Sequence, residues 1–409
     1  MSLKTFARIL IVAFLFAPQS IWAKSQDEWL AQGKTVYKAY CSHCHGVSGA
    51  GDGYNSEFLD KDPAELSDTV FLAKRSNDRL YRAIKHGGLD VKKSFLMPSF
   101  GKTLSDEEIW SLVIWIRHNA ADDSHPVEAP AHADSKRPVG IAVEPADIEF
   151  FLRWFEAQGK KMEWRQLGEK LFWSKKSCLA CHKIGEEGGQ VGPDLSRASL
   201  NYRPEWMYAW IKNPQKFQPH TKMPNVGLDD KQAWAIVSYL SNLDIEVEGI
   251  SDEWSSFLSL EGDAERGKKL FFDAEGKANC SKCHAVKGVG GSVGPDLSYT
   301  GSSRTPLFLL ESILDPKAVI TAGYYSLMVL TKDRKFITGI RKNEDASGIE
   351  LVDKDGNLVY ISRDQIKKFK KQKISMMPGN FKDILSPQEI ADCLAFLKTL
   401  TAKNVTFTR

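Results

Sequence analysis

Three short stretches carry the reactive side chains of this chain: Cys41-Ser-His-Cys44-His45, Cys178-Leu-Ala-Cys181-His182 and Cys280-Ser-Lys-Cys283-His284. Two thiols three residues apart on one helical turn reach the two vinyl groups of a single porphyrin. The histidine that follows then lies under the iron and supplies its proximal nitrogen, which makes the pentad the attachment signature of c-type haem. A redox dithiol or half of a zinc site also uses Cys-x-x-Cys. Zinc would need a second ligand pair, yet only Cys393 remains of the seven cysteines. The pattern therefore calls for three covalently attached haem c groups, on Cys41 and Cys44, Cys178 and Cys181, and Cys280 and Cys283, with His45, His182 and His284 on the irons.

The start of the chain reads as a secretory signal over residues 1–23. Lys4 and Arg8 precede the apolar run Ile9 to Ala17, and Ile21-Trp22-Ala23 offers a cleavage site. That run is too short for a spanning helix, which needs roughly 20 apolar residues. An exported chain without spare cysteine pairs relies on something other than disulfides, and covalent haem supplies it. The expected location is the periplasm, with no membrane segment after signal removal. Loss of Lys4 and Arg8 lowers the formal charge from +3 to +1, but the charge is unevenly spread. Residues 263–409 hold 24 Lys+Arg against 17 Asp+Glu, whereas residues 123–262 hold 16 against 21. A basic final third, densest at Lys367, Lys368, Lys370, Lys371 and Lys373, would steer an acidic protein partner toward it.

What positions the pentads is an internal repeat. A glycine and an aromatic one helical turn apart precede each: Gly33 and Tyr37, Gly168 and Phe172, Gly267 and Phe271. A Met-Pro pair follows each, at Met97-Pro98, Met223-Pro224 and Met377-Pro378. A last helix then opens near Leu104, Leu228 and Leu385, with Ser105, Asp229 and Ser386 as N-caps. Trp115, Tyr239 and Phe396 recur at one register in that helix and are expected to pack on the glycine face.

This order of helix, pentad, Met-Pro and helix resembles the class I cytochrome c fold over most of the mature chain. The resemblance implies a mainly α protein of three tandem class I cytochrome c domains. It also implies that a proline carbonyl in the following loop accepts a hydrogen bond from the proximal histidine. Pro193 and Pro295, in the two VGPDLS stretches, match that position, with Pro63 the nearest counterpart in the first domain. Such a bond orients the ring and tunes the iron.

The expected boundaries are 24–122 for the first domain and 123–145 for a Pro/Ala-rich linker. The second domain, with a leading helix, covers 146–243. A linker at 244–262 and the third domain at 263–409 complete the chain. The leading stripe Phe150, Phe151, Trp154 and Phe155 reads as packing between domains. In the third domain His284 and Met377 are 93 residues apart, against 52 and 41 in the others. The excess, about residues 320–372, reads as strands at Tyr324 to Thr331, Phe336 to Arg341, Gly348 to Val352 and Leu358 to Ile361. With that β-rich insertion the domain is similar to cytochrome c-like haem-binding domains fused to larger enzymes, and a docking surface is its expected role.

For the distal ligands the repeat register selects Met97 over His86, and Met223 over its near rival His220. Met376 and Met377 compete at the third site, where the Met-Pro register selects Met377. No histidine follows His284. Met162, Met207 and Met328 read as packing, His43 as a spacer, and His118, His125 and His132 as solvent-exposed. Cys393 aligns with Leu112 and Ile236 and reads as a buried apolar residue.

A His/Met iron passes electrons without an open coordination position. The expected function is single-electron transfer between redox partner proteins such as a dehydrogenase, another cytochrome or a terminal oxidase. By haem count and length the chain resembles the three-haem cytochrome subunits of membrane-bound dehydrogenases, although the insertion departs from that pattern; another respiratory complex or extracellular electron transfer stands equally. Nucleic acid is not an expected partner. The alternative is a haem enzyme, a peroxidase or nitrogen-oxide reductase, with one five-coordinate iron served by His86 or His220. A haem-based gas sensor ranks last because no output domain is evident.

Overall fold

The computed structural model describes residues 24–402 apart from 129, 131–132, 175, 244–251, 345–346 and 373. The leader, His132, Lys373 and the start of the 244–262 linker lie outside the described residues.

Three crossed helix pairs organise the chain. Gln26–Tyr40 crosses Asp106–Asn119, Met162–Ser174 crosses Asp230–Ser241, and Ala264–Phe272 crosses Pro387–Thr399. The late helix starts where its cap dictates. Ser105 and Ser386 each form a capping box with the glutamate three residues on, and Asp229 accepts from the Gln232 N–H.

Close approach at each crossing needs a residue without a side chain. A Cβ on Gly33 would lie 2.1 Å from the Ser111 carbonyl oxygen, on Gly168 1.9 Å from that of Ala235, and on Gly267 1.9 Å from that of Asp392. The paired aromatics fill the rest: Tyr37 lies 4.1 Å from Trp115, Phe172 5.9 Å from Tyr239 and Phe271 5.4 Å from Phe396 by ring centroid.

The leading helix Pro145–Gln158 does not bridge domains. Phe151 is fully buried and stacks on Tyr208 at 4.7 Å, while Trp154 stacks on Trp234 at 4.9 Å. Its stripe therefore completes the core of the second helix pair. In the same way Phe257, on Asp252–Ser259, joins the core around Phe271 and Phe396.

Between the helix Pro306–Leu314 and Met377 the chain forms a five-stranded antiparallel sheet. Its order is Leu358–Ser362, Gly348–Val352, Phe336–Glu344, Ser326–Thr331, Ile366–Lys371. One face buries Leu327, Val329, Ile349, Leu351 and Ile361. The edge strand Ile366–Lys371 holds no buried side chain and was read from sequence only as a lysine run. Backbone pairing with Ser326–Thr331 makes it a strand, and its lysines blunt an open sheet edge.

The second and third helix pairs meet through corresponding segments. Tyr202 and Arg304, each eleven residues after the valine of a VGPDLS stretch, form an antiparallel bridge. Arg197 pairs with Glu311 at 2.8 Å beside it.

Candidate haem-binding sites

The first pentad follows the first helix of its pair at once, and the other two follow theirs after a short connecting loop. Cys41 caps Gln26–Tyr40, whereas Ser177 and Asn279 turn into the other two pentads through left-handed backbone, at φ 59° and 38°. None of the six pentad cysteines is in a disulfide, and all are half-buried. Burial raises their thiols, to about 12 for Cys41, Cys178 and Cys181 and about 11 for Cys280.

The three histidines are held alike. Nδ1 lies 2.9 Å from the Ala64 carbonyl oxygen for His45, 2.9 Å from that of Pro193 for His182, and 2.8 Å from that of Pro295 for His284. The first acceptor is thus one residue beyond Pro63. Burial holds all three imidazoles below their ordinary pKa, against the opposing carbonyl bond. A neutral ring donating from Nδ1 keeps the Nε2 lone pair free for a metal. Glycine lets the loop cross the ring: a Cβ on Gly192 would lie 2.5 Å from His182 Cε1, and one on Gly294 2.6 Å from His284 Cε1.

The Met-Pro methionines sit in the matching cores. Cys41 and Met97 pack on one apolar cluster, Cys178 and Met223 on a second, Cys280 and Met377 on a third. Met376 packs instead with Cys283, Tyr324, Val293 and the sheet residues Ile340 and Val352. A cavity of about 510 Å³ opens beside Met377, with Trp254, Leu314, Lys317 and Lys382 in its lining. The residues present fit porphyrin: in each copy a pentad with a neutral imidazole stands beside an apolar core on which its first cysteine and the Met-Pro methionine both pack, and two lysines beside Met377 suit propionate carboxylates. Among the described residues no group of three or more His, Cys, Asp or Glu is arranged to hold a bare metal ion.

His86 ends the helix Asn77–His86 and is exposed, and His220 is exposed as well. His118 is exposed, but His125 is half-buried and its Nε2 lies 3.0 Å from the Ala73 carbonyl oxygen. Met207 is core, Met328 is half-buried in its strand, and Met162 is 60% exposed, so it is not packing. Cys393 is buried, with its thiol pushed up to about 12 by burial.

Two residues that the sequence does not single out, and one that it reads only as a spacer, border these sites. Trp210 Nε1 donates to Met223 Sδ at 3.0 Å. His43 is buried, its Nδ1 has no hydrogen-bond partner among the described residues, and burial lowers its imidazole to about 3. Asn55, in a glycine-rich loop that reads as a turn, is fully buried between the first two pentads. Its Nδ2 donates to Cys44 Sγ at 3.4 Å and to the Ala180 carbonyl oxygen at 2.9 Å.

Comparison with known proteins adds two family matches. The model of cytochrome c oxidase, cbb3-type, subunit III matches residues 29–116, and the cytochrome c model matches residues 166–244 and 264–349. Among solved structures, a chain of a Kuenenia stuttgartiensis reducing HAO-like protein complex aligns at 21% identity over 52% of this chain and 95% of its own. Its TM-score is 0.18, too slight a likeness to transfer anything. No helix among the described residues is long and apolar enough to cross a membrane.

Proposed function

This chain is a c-type cytochrome with multiple domains, and from that premise we propose that it is a three-haem electron carrier of the periplasm. It passes single electrons between redox partner proteins, as the cytochrome subunit of a respiratory or dehydrogenase complex. The observation that carries this reading is the threefold recurrence of one constellation. A histidine is bonded through Nδ1 to a loop carbonyl, its two cysteines form no disulfide, and a Met-Pro methionine packs on the same apolar core as the first of them. Bound there, haem supplies reversible one-electron chemistry. The protein holds the imidazole neutral, keeps water from the iron and sets the potential through the thioether.

In this reading Met97, Met223 and Met377, together with His45, His182 and His284, would hold the three irons. The Trp210 bond withdraws density from the Met223 sulfur, which sets the second haem apart. The exposed places of His86 and His220 favour an electron carrier over a peroxidase or nitrogen-oxide reductase.

Intact-mass analysis of the purified protein should give three added haems, and its ferric and ferrous spectra should be low-spin throughout. A high-spin ferric component would instead favour the enzyme. Met223→His should lower the potential of one haem and leave the other two, because imidazole stabilises ferric iron better than a thioether does. An unchanged three-wave titration would remove Met223 from the ligand set.

A further inference from the structure

The first two pentads lie close together. Asn55 occupies the gap with every polar atom of its amide engaged. Nδ2 donates to Cys44 Sγ and the Ala180 carbonyl oxygen, and Oδ1 accepts from the Gln190 N–H at 2.7 Å. Its backbone N–H donates to the His43 carbonyl oxygen at 2.9 Å. Thus one fully buried side chain touches a cysteine of the first pentad and one of the two residues between the cysteines of the second. The contact is reciprocal around it. Ser177, just before the second pentad, donates to the Phe95 carbonyl oxygen just before Met97.

We propose that Asn55 is the bridge through which electrons cross between the groups held at Cys41/Cys44 and at Cys178/Cys181. The proposal rests on the three-haem reading above. The step moves one electron: the donor iron goes from ferrous to ferric, the acceptor from ferric to ferrous, and no proton moves. A hydrogen-bonded route of three atoms, from Sγ through Nδ2 to a pentad carbonyl, replaces a jump through space or water. It also fixes the separation of the two sites, because Asn55 grips both sides of the contact.

The test is the full-length holoprotein carrying Asn55→Leu, which keeps nearly the same bulk and removes every amide bond. Electron equilibration after photoreduction of a partly oxidised sample should slow at least several-fold. Haem content should stay at three, and the midpoint potentials measured alongside give the driving force against which the rate is compared. Arg304→Ala, at the contact between the second and third helix pairs, should leave this rate alone. An unchanged rate in Asn55→Leu with three haems bound would overturn the bridge. If that variant fails to assemble, pulsed EPR of the unaltered ferric protein decides. Strong magnetic coupling between the first two haems is expected, and its absence rejects the proposal. A haem count below three would instead defeat the three-haem reading, so the two failures are told apart.

Discussion

Pentads one and two lie front to front, with Asn55 bonding across to Ala180 and Gln190, whereas the third meets a sheet formed by the chain between His284 and Met377. On that side Cys283 packs with Val293, Met376, Ile340 and Val352, Lys282 pairs with Asp355 at 3.3 Å, and Lys342 bonds to the Ser292 carbonyl oxygen. The contrast explains the unequal spacings in the sequence. A pentad that can be covered by its neighbour needs only a short loop to its methionine. One without a facing neighbour must carry its own cover, at the cost of a longer chain. Keeping water from the thioether edge matters in both cases, since exposure raises the local dielectric and shifts the potential. The sheet is thus first an internal cover, although its lysine-lined outer strand still offers the basic surface expected from the charge count.

The largest way to break this comparison is to open the cover. Ile340 is 3% exposed, and Ile340→Ala should cost about 2–4 kcal/mol by loss of packing and the cavity left behind. Chemical denaturation followed in the Soret band measures it. On the three-haem reading proposed above, the spectral and redox change should be confined to one haem. Equal change at all three would mean that the sheet is not particular to the third site.

Much of this was legible in the sequence because it is written in residues with few alternatives. The pentads, the crossing glycines and the N-caps each have a chemical reason that does not depend on context. The carbonyl acceptors at Pro193 and Pro295 followed from the family resemblance, whereas in the first loop, which lacks VGPDLS, the acceptor moved to Ala64. What stayed hidden depends on partners distant in the chain. Asn55 acquires its role from Ala180, 125 residues on, and nothing in GDGYNSEF announces it. The strand Ile366–Lys371 shows no alternation because it lies at the sheet edge with no side chain fully buried, and its pairing with Ser326–Thr331 is through the backbone. The stripe of Phe151 and Trp154 was correctly apolar, but periodicity names no packing partner, and Tyr208 and Trp234 turned out to be local.

A second difference separates the third helix pair from the others and predicts a pH effect. Where the glycine crosses Ser111 or Ala235 in the first two pairs, the third presents Asp392. Its buried carboxylate accepts from Arg266 Nε at 2.7 Å, Arg266 Nη2 at 2.9 Å and the Asp263 N–H at 2.7 Å. Those bonds, the Arg266 guanidinium first, hold its pKa at about 2. A depressed carboxylate stabilises the fold above its unfolded value of roughly 3.9 and loses that contribution as pH falls through about 2. Asp392→Asn should therefore lower the thermal midpoint at pH 7 and converge with the unaltered protein in strong acid. Parallel curves at every pH would show that the charge of Asp392 contributes nothing.

The smallest effect tests whether the cover is also a tie. Arg341, on the sheet, lies over the Tyr54 ring of the first segment at 4.9 Å while pairing with Glu344 at 2.6 Å. Tyr54 is 40% exposed, so the contact is at a surface, where a cation over a ring is worth about 0.5–1 kcal/mol. Arg341→Ala keeps Glu344 paired with Arg363 at 3.0 Å, and should lower stability by no more than that. Arg341→Lys should recover part of the loss, since it restores charge without the flat stacking surface. The thermal midpoint of each variant reads the size, and the potential of the first haem reads the reach. A shift in that potential would mean that the sheet governs the first site as well as the third, and would erase the distinction between a pentad covered by its neighbour and one covered by its own chain.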